Sequence, residues 1–262
     1  MNLGIKGRNA IVCAASRGLG FACAASLVRE GVNVVINGRT VDSLNEAVKK
    51  LKEINPDVTV KFVVGDISSK EIQIKILSLE PNVDILVTNA DGPPVCDDIY
   101  LSLEQWMQAI NTNMLTPISL IQSVVEKMSL RRFGRIVNIT SGNVKAPLSE
   151  LCLSNGARCG LTGYINGIAK KTNLVKNNVT INNLLPGAFD TQRLKGVFYE
   201  KSKLNGELIE ETIIKRKNQI PVGRFGSPNE FGDLCAFLCS FQAGYITGQN
   251  ILIDGGEYRG IF

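Results

Sequence analysis

The sequence predicts a single α/β domain built on a doubly wound, seven-stranded parallel sheet with helices on both faces. Short runs rich in β-branched residues alternate along the chain with longer amphipathic stretches, which is the pattern of parallel strands joined by crossover helices. A chain of 262 residues that is 44% hydrophobic can also bury one full core. No linker, internal repeat or low-complexity tract divides the sequence, so we predict one domain over residues 1–262.

The candidate strands and helices follow one another in regular order. Right-handed crossovers place the ligand crevice of such a sheet at the carboxyl ends of its strands. The candidate strands are Ala10–Ala14, Val32–Ile36, Val58–Val64, Val83–Thr88, Arg135–Thr140, Val179–Leu184 and Asn250–Ile253, and the candidate helices lie near 18–30, 42–54, 69–79, 102–129, 153–177 and 228–240.

The segment 190–219 does not fit this alternation. It is polar, contains several lysine and arginine residues, and follows the sixth candidate strand. A solvated insertion and a substrate lid are both consistent with this composition and with a position at the ligand end of the sheet.

The composition excludes several classes of site. The seven cysteines form no C-x-x-C pair and the chain has no histidine, so we expect buried reduced thiols and no metal site. Without histidine, a Ser-His-Asp or Cys-His nucleophile system is impossible. The net charge of +5 is mild and spread along the chain. It suits an anionic cofactor or substrate but does not indicate a nucleic-acid partner.

The sequence also bears on location. No apolar run approaches the roughly 20 residues that span a bilayer. The N-terminal residues lack the basic start and long apolar stretch of a signal peptide. We therefore expect a cytoplasmic protein without a membrane partner.

A glycine-containing turn follows the first candidate strand and precedes a helix. Glycines at such a turn let the backbone approach a pyrophosphate, which then rests on the helix N-terminus. This turn predicts a Rossmann-type dinucleotide site. Its candidate cofactor-binding residues are Ser16, Arg17, Gly18, Leu19 and Gly20.

The end of the second strand bears on the choice of cofactor. An acidic side chain would be expected there in an NAD-preferring protein, yet none lies between Gly31 and Val41. Arg39, together with Arg17, can pair with a 2′-phosphate. We therefore predict NADP(H) rather than NAD(H) as the cofactor. The alternative is that both arginines are solvated and bind no phosphate.

Further motifs complete a resemblance to the short-chain dehydrogenase/reductase family over about residues 5–257. The turn resembles the family's T-G-x-x-x-G-x-G, with Cys13 and Ala14 in place of its first two residues. The C-terminal region matches closely as well. The resemblance implies that these residues also bind the cofactor: Asp66 and Ile67 after the third strand, Asn89 and Ala90 after the fourth, and Pro186 and Gly187 after the sixth.

The family's catalytic site contains an Asn, a Ser, a Tyr and a Lys. The resemblance assigns the Asn to Asn113, with Asn111 as a nearby alternative, and the Ser to Ser141. Where the family carries Tyr and, four residues later, Lys, this chain has Ser154 and Arg158. The spacing keeps both on one helix face.

The two replacements change the expected chemistry. A tyrosine hydroxyl can be made acidic by a neighbouring ammonium, whereas a serine hydroxyl is far less acidic. Arginine stays protonated at working pH and cannot relay its own proton. It can still bond the nicotinamide ribose. Other candidate acids or bases are Tyr199, Glu150, Lys145 and Asp91.

The resemblance implies an NADP(H)-dependent oxidoreductase that acts on a carbonyl/alcohol pair of a small or acyl substrate with an atypical proton-transfer site. A nucleotide-binding pseudoenzyme or sensor, and a non-redox elimination or epimerisation on the same scaffold, are the alternatives. The motif spacing is most similar to that of 3-oxoacyl-acyl-carrier-protein reductases.

The resemblance also suggests partners. Acyl carrier protein is a possible partner through Arg131, Arg132 and Lys170, for which ordinary helix-end cations are the simpler explanation. The regions 102–129 and 153–177, with the C-terminal segment, resemble the family's subunit interfaces. They predict a homo-oligomer, specifically a tetramer.

Overall fold

The computed structural model describes residues 2–95 and 100–261, which form one seven-stranded sheet. All six strand pairings are parallel, in the order β3-β2-β1-β4-β5-β6-β7. The switch in direction after β3 places β1 beside β4, which creates the crevice expected of a doubly wound sheet. The strands are β1 Asn9–Val12, β2 Asn33–Gly38, β3 Val60–Val64, β4 Ile85–Thr88, β5 Gly134–Ile139, β6 Val179–Pro186 and β7 Asn250–Ile253.

Helices cover both faces of the sheet. Alternate residues of β1 face opposite sides, so Val12 belongs to one core and Ile11 to the other. The first core packs against α1, α2 and α10, and the second against α3, α5 and α6. These layers confirm the predicted fold class. The helices are α1 Gly18–Arg29, α2 Val41–Ile54, α3 Lys70–Leu79, α4 Leu103–Ile110, α5 Thr116–Leu130, α6 Cys152–Ile168, α7 Thr172–Val175, α8 Gln192–Asn205, α9 Ile209–Asn218 and α10 Pro228–Leu238.

Two predicted helices are each divided in the structure. The predicted helix 102–129 is interrupted by a π-helical turn, Asn111–Leu115, between α4 and α5. Pro117 follows this turn, and because proline lacks an N–H it cannot bond the carbonyl four residues earlier. The predicted helix 153–177 ends early because Lys171, with ψ 124°, is extended between α6 and α7.

The segment 190–219 is largely helical. It contains α8 and α9, and α8 ends at Gly206 in the left-handed region, with φ +66°. The Thr191 hydroxyl caps the start of α8 by accepting from the Leu194 amide. The segment therefore connects β6 to α10 as an ordered pair of helices.

None of the helices in the described ranges is long and apolar enough to cross a membrane. Within the same ranges, no three or more cysteine, aspartate or glutamate side chains are grouped so that they could hold a metal ion.

Candidate active site

The turn between β1 and α1 is tightly folded. Ala14 has φ +45° and Gly18 has φ +61°, both in the region that favours glycine. A Cβ on Gly20 would lie 2.4 Å from the Ala14 carbonyl oxygen and 2.9 Å from Nδ2 of Asn89. Glycine is therefore required at position 20. The absence of a side chain there lets the start of α1 pack closely against Ala14 and Asn89, at a helix N-terminus where a pyrophosphate can bind.

Asn89 links this turn to the end of β4. Its side-chain amide donates a hydrogen bond to the Ala14 carbonyl oxygen over 3.3 Å. Ala90 follows it and is partly buried. Because β1 and β4 are neighbours in the sheet, these residues lie on the crevice, where the sequence predicts the cofactor.

Asn37 is a positioning residue that the sequence analysis did not assign. It is buried near the end of β2, and its Nδ2 donates to the carbonyl oxygens of Val63 at 3.2 Å and Gly65 at 3.0 Å. The Ala15 amide donates to the Asn37 carbonyl over 2.8 Å. The residue thus joins the carboxyl ends of β1, β2 and β3. The one sequence feature that could have identified Asn37 is an amide side chain at the end of an otherwise apolar strand.

The first helical turn of α1 carries no acidic residue, and Arg17 precedes it in extended conformation, with an exposed side chain. Ser16 lies against the end of β2, since a Cβ on Gly38 would be 3.0 Å from the Ser16 Cβ. Leu19 packs against the first core. Free N–H groups at a helix start and a nearby cation suit an anionic ligand.

The third strand ends in a different kind of turn. A carboxylate oxygen of Asp66 accepts from the amide and the hydroxyl of Ser68, both at 2.8 Å. Ile67 is buried. The Asp66 side chain therefore holds its own loop in place at the crevice edge.

Arg39 has a neighbour in space that sequence spacing does not reveal. Its Nη2 lies 2.5 Å from a carboxylate oxygen of Asp91, and Nη1 of Arg193 lies 3.8 Å from the other oxygen. Although no acidic residue lies between Gly31 and Val41 in the sequence, Arg39 therefore has a carboxylate partner in space. Asp91 follows β4, and the carboxyl ends of β2 and β4, on either side of β1, bring together two residues that are distant in the chain. All three side chains are more than half exposed, so solvent screens the pairs.

Asn113 lies in the π-helical turn and is buried. Its Nδ2 donates to the Ala109 carbonyl oxygen over 3.4 Å, whereas its Oδ1 has no partner in the part of the chain that the structure describes. Asn111, the alternative, is exposed. A buried amide oxygen without a partner is costly, and it provides an acceptor for a bound hydroxyl or water.

Ser141 follows β5 directly. Its hydroxyl accepts from the Asn143 amide over 3.2 Å, which caps a short 3-10 turn. A Cβ on Gly142 would lie 3.3 Å from the Pro186 carbonyl oxygen, and the Gly187 amide donates to the Ile253 carbonyl over 2.9 Å. The ends of β5, β6 and β7 are thus held side by side around Ser141.

Ser154 and Arg158 form a buried pair on α6. The Arg158 Nε donates to the Ser154 hydroxyl over 3.2 Å, and Nη1 donates to the Ile139 carbonyl over 3.0 Å. Ile139 is the last residue of β5, so this bond places the guanidinium two residues from Ser141. Burial, and secondly the charge of Arg193, lower the pKa of Arg158 to about 10. The side chain is therefore still charged near neutral pH.

Glycines allow the close approach of α6 to the Asn113 turn. A Cβ on Gly156 would lie 2.8 Å from a ring carbon of Trp106, and one on Gly160 would lie 2.8 Å from the Met114 sulfur. The sequence analysis did not assign Gly160. Without these glycines, side chains on α6 would press against Trp106 of α4 and Met114 of the π-turn.

The comparisons with known proteins show the family of the chain. Residues 8–202 match the family model described as short chain dehydrogenase. The chain belongs to the short-chain dehydrogenase/reductase family. It is an oxidoreductase of that family, as the sequence analysis predicts.

Three proteins illustrate the similarity. A 3-oxoacyl-acyl-carrier-protein reductase of Aquifex aeolicus is 31% identical over 266 residues, which cover 98% of this chain and 100% of that protein. The NADPH-dependent reductase BacG of Bacillus subtilis is 30% identical, with 97% of this chain and 99% of that protein covered. The structure of L-sorbose reductase from Gluconobacter frateurii, complexed with NADPH and L-sorbose, has a TM-score of 0.92 at 28% identity, and both chains are covered completely.

The other candidate acids or bases, Tyr199, Glu150 and Lys145, each contact a neighbouring side chain. The Tyr199 ring is 49% exposed and lies under the Lys203 ammonium, 4.2 Å from the ring centroid. Glu150 accepts from the Ser149 hydroxyl at 3.1 Å. The Lys145 ammonium lies 5.6 Å from the centroid of the Tyr258 ring. In these contacts the partners of the three groups are residues other than Ser154 and Arg158.

Proposed function

We propose that the protein is an NADP(H)-dependent carbonyl reductase in which Asn113, Ser141, Ser154 and Arg158 form the reaction site. The observation that carries this proposal is the 3.0 Å bond between Arg158 Nη1 and the Ile139 carbonyl oxygen. It holds the Ser154–Arg158 pair against the strand end that delivers Ser141. A substrate carbonyl at this place meets two hydroxyl groups and one cation.

The residues present fit a dinucleotide. Gly20 lets the turn pack tightly at the start of α1, and the first turn of this helix contains no acidic residue, which suits a pyrophosphate at the helix N-terminus. When bound, the cofactor supplies the hydride. Arg17 and Arg39 favour a cofactor with a 2′-phosphate, and the NADPH named for BacG and for the L-sorbose reductase complex supports the same choice.

The protein groups must then stabilise the oxygen that gains negative charge. The Ser141 and Ser154 hydroxyls can donate hydrogen bonds to it, and the Arg158 cation lowers the energy of a developing alkoxide at low local dielectric. Arg158 does not release its proton near neutral pH, since its pKa is about 10. The proton therefore comes from water, and the free Oδ1 of Asn113 is placed to accept a hydrogen bond from such a water.

The test is label transfer. Wild-type protein is incubated with NADPH deuterated at C4 and a panel of ketones and aldehydes, and deuterium in the product alcohol is measured by mass spectrometry. We expect transfer by the wild type and none by Gly20→Val, whose side chain would clash with the Ala14 carbonyl oxygen. Tight NADPH binding without transfer to any carbonyl would overturn the reductase proposal.

That outcome would favour a nucleotide-binding pseudoenzyme or sensor. The observation behind this second candidate is Ser154 itself, because a serine hydroxyl is too weak an acid to replace a tyrosine. A change of the substrate without hydride exchange would instead indicate an elimination or epimerisation on the same scaffold.

Whether the substrate is attached to acyl carrier protein is a separate part of the proposal. The Aquifex relative is named for acyl-carrier-protein substrates, and we keep acyl carrier protein as a possible partner. Arg131 is less suited to dock it than the sequence suggests, because its Nε lies 3.7 Å from Asp84 and it precedes β5. The amino ends of parallel strands lie opposite the site. Measuring kcat/KM on acyl-carrier-protein thioesters and on matching small thioesters tests this partner.

We further propose that the protein forms a homo-oligomer, specifically a tetramer, and that it is located in the cytoplasm. Large apolar side chains on and after α4 are exposed, with Leu103 71%, Met107 56% and Leu115 45% accessible. Exposed apolar groups on the predicted interface region support association. Light scattering at micromolar concentration tests it, and a monomer would contradict it.

A further inference from the structure

The Arg158 guanidinium is a buried charge without an acidic partner among the described residues. Its side chain is only 8% exposed, and no Asp or Glu oxygen in the described ranges lies within 4.0 Å of it. Two neutral oxygens, from Ser154 and Ile139, are its hydrogen-bond partners there. A guanidinium carries five N–H donors, so the bonds found leave donors available.

Burying an unpaired cation is unfavourable unless an anion compensates it. Arg193 makes the buried positive charge less favourable still. Its charge lowers the pKa of Arg158 in addition to the larger effect of burial. The Asp91 carboxylate pairs with Arg39 and Arg193 and lies beyond 4.0 Å from Arg158. The missing negative charge is therefore expected from a ligand.

We propose that Arg158 binds a carboxylate on the substrate, so that the preferred substrates are 2-oxo or 3-oxo acids rather than neutral ketones. This inference rests on the proposed reductase function and names the substrate class of the same site. A planar guanidinium matches a carboxylate through two parallel hydrogen bonds, which is the strongest pairing available to it.

The position of the carboxylate follows from the contacts of the same guanidinium. Nε lies 3.2 Å from the Ser154 hydroxyl, and Nη1 bonds the strand end that precedes Ser141. A carbonyl between these hydroxyls therefore lies beside Arg158. Only an acid with one or two bonds between its carboxylate carbon and its carbonyl carbon reaches both, which selects 2-oxo and 3-oxo acids over 4-oxo and 5-oxo acids.

Paired substrates test the proposal. The kcat/KM with NADPH is measured for pyruvate, acetoacetate, 4-oxopentanoate and 5-oxohexanoate and for the methyl ester of each. We expect the acid-to-ester ratio to exceed about tenfold for the 2-oxo or 3-oxo acid, as a charge-assisted bidentate pair implies, and to approach one for the longer acids. A ratio near or below one throughout overturns the proposal.

Variants assign the preference to this side chain. Arg158→Gln should bring the ratio close to one, whereas Arg158→Lys should keep part of it because the charge stays and the planar fork is lost. The matched control is Lys176→Gln, which removes one exposed positive charge just before β6 and should leave the ratio unchanged. An unchanged ratio in Arg158→Gln overturns the assignment. If that variant fails to fold, the wild-type ratio and Arg158→Lys decide.

Binding without turnover separates this inference from the proposed function. Calorimetry with NADP-saturated protein compares acetoacetate with methyl acetoacetate. Selective binding of the acid by the wild type, lost in Arg158→Gln, supports the carboxylate site even when no ketone is reduced. Equal binding of acid and ester overturns it even when ketones are reduced.

Discussion

The guanidinium of Arg39 lies 2.5 Å from a carboxylate oxygen of Asp91, and this pair joins the carboxyl ends of β2 and β4. Arg39 is the residue that we expect to hold the 2′-phosphate of the cofactor. Its partner in the structure is a carboxylate, which therefore competes with a 2′-phosphate for the same guanidinium. Because both side chains are 61% exposed, the competition is weak and depends on salt.

NADPH is expected to bind more tightly than NADH, because only NADPH offers a 2′-phosphate to Arg39 and Arg17. Arg39→Ala should lower the NADPH affinity by about tenfold, the size of one charge-assisted contact, and should leave NADH almost unaffected. Fluorescence titration of both cofactors against both proteins measures this. Equal affinities of the wild type for the two cofactors would rule out the assignment.

Asp91→Asn should tighten NADPH binding by about two- to fivefold, the range of an exposed ion pair, because Arg39 no longer has a competing carboxylate. The effect should shrink at high salt. Asp190→Asn is the matched control, since Asp190 forms an exposed pair with Lys195 at 3.2 Å. Weaker NADPH binding in Asp91→Asn would show that Asp91 supports the phosphate site rather than opposing it.

This pair illustrates what the sequence can and cannot predict. The strand runs and glycine motifs predict the sheet, and the family resemblance assigns Asn113, Ser141 and Ser154 to the site at its carboxyl edge. The Arg39–Asp91 contact depends on the order of strands in space, which no local pattern encodes. Two other features also depend on contacts between residues that are distant in the chain. The π-turn around Asn113 needs the tertiary packing of α6, and the Asn37 network needs three strand ends to meet.

Ala14→Gly is expected to stabilise the protein. Ala14 has φ +45°, a conformation that costs an L-residue about 1–2 kcal/mol, partly offset by the greater flexibility of glycine in the unfolded chain. A net gain of about 0.5–1 kcal/mol corresponds to a rise in Tm of roughly 1–4 °C for a chain of this size. Differential scanning calorimetry checks it. Ala15→Gly, at a buried neighbour without positive φ, should instead lower the Tm.

The reaction should show no ionisation from this pair between about pH 6 and 9. Burial lowers the pKa of Arg158 to about 10, and a serine hydroxyl does not titrate in this range. The kcat/KM should therefore fall only as the pH approaches 10, where Arg158 loses its proton. The pH dependence of stability has the opposite sign. Between the folded pKa of about 10 and the higher, ordinary pKa of arginine, the unfolded chain binds more protons, so this group's contribution to stability rises with pH across that window. A pH profile with a break near 7 would contradict the account.

The remaining prediction separates the roles of Ser154 and Arg158. Ser154→Ala should reduce carbonyl reduction by less than about tenfold, because serine is too weak an acid to be the main proton donor. Arg158→Ala should cost about a hundredfold or more, since it removes the cation that stabilises the alkoxide. Steady-state kinetics with NADPH measures both. Loss of all turnover in Ser154→Ala with unchanged NADPH affinity would make Ser154 the acid or the anchor of an essential water.

The double variant Ser154→Tyr with Arg158→Lys tests the same site in the opposite direction. It places an acidic hydroxyl next to an ammonium on one face of α6, and the ammonium lowers the tyrosine pKa. If Asn113 and Ser141 are already in place, reduction of neutral ketones should increase, while Ser154→Tyr alone should gain less because Arg158 keeps its bond to the Ile139 carbonyl. Kinetics on the single and double variants, with circular dichroism as a folding control, decide this. A folded double variant that binds NADPH but reduces neutral ketones no faster than the wild type would show that Asn113 and Ser141 are not positioned for the reaction.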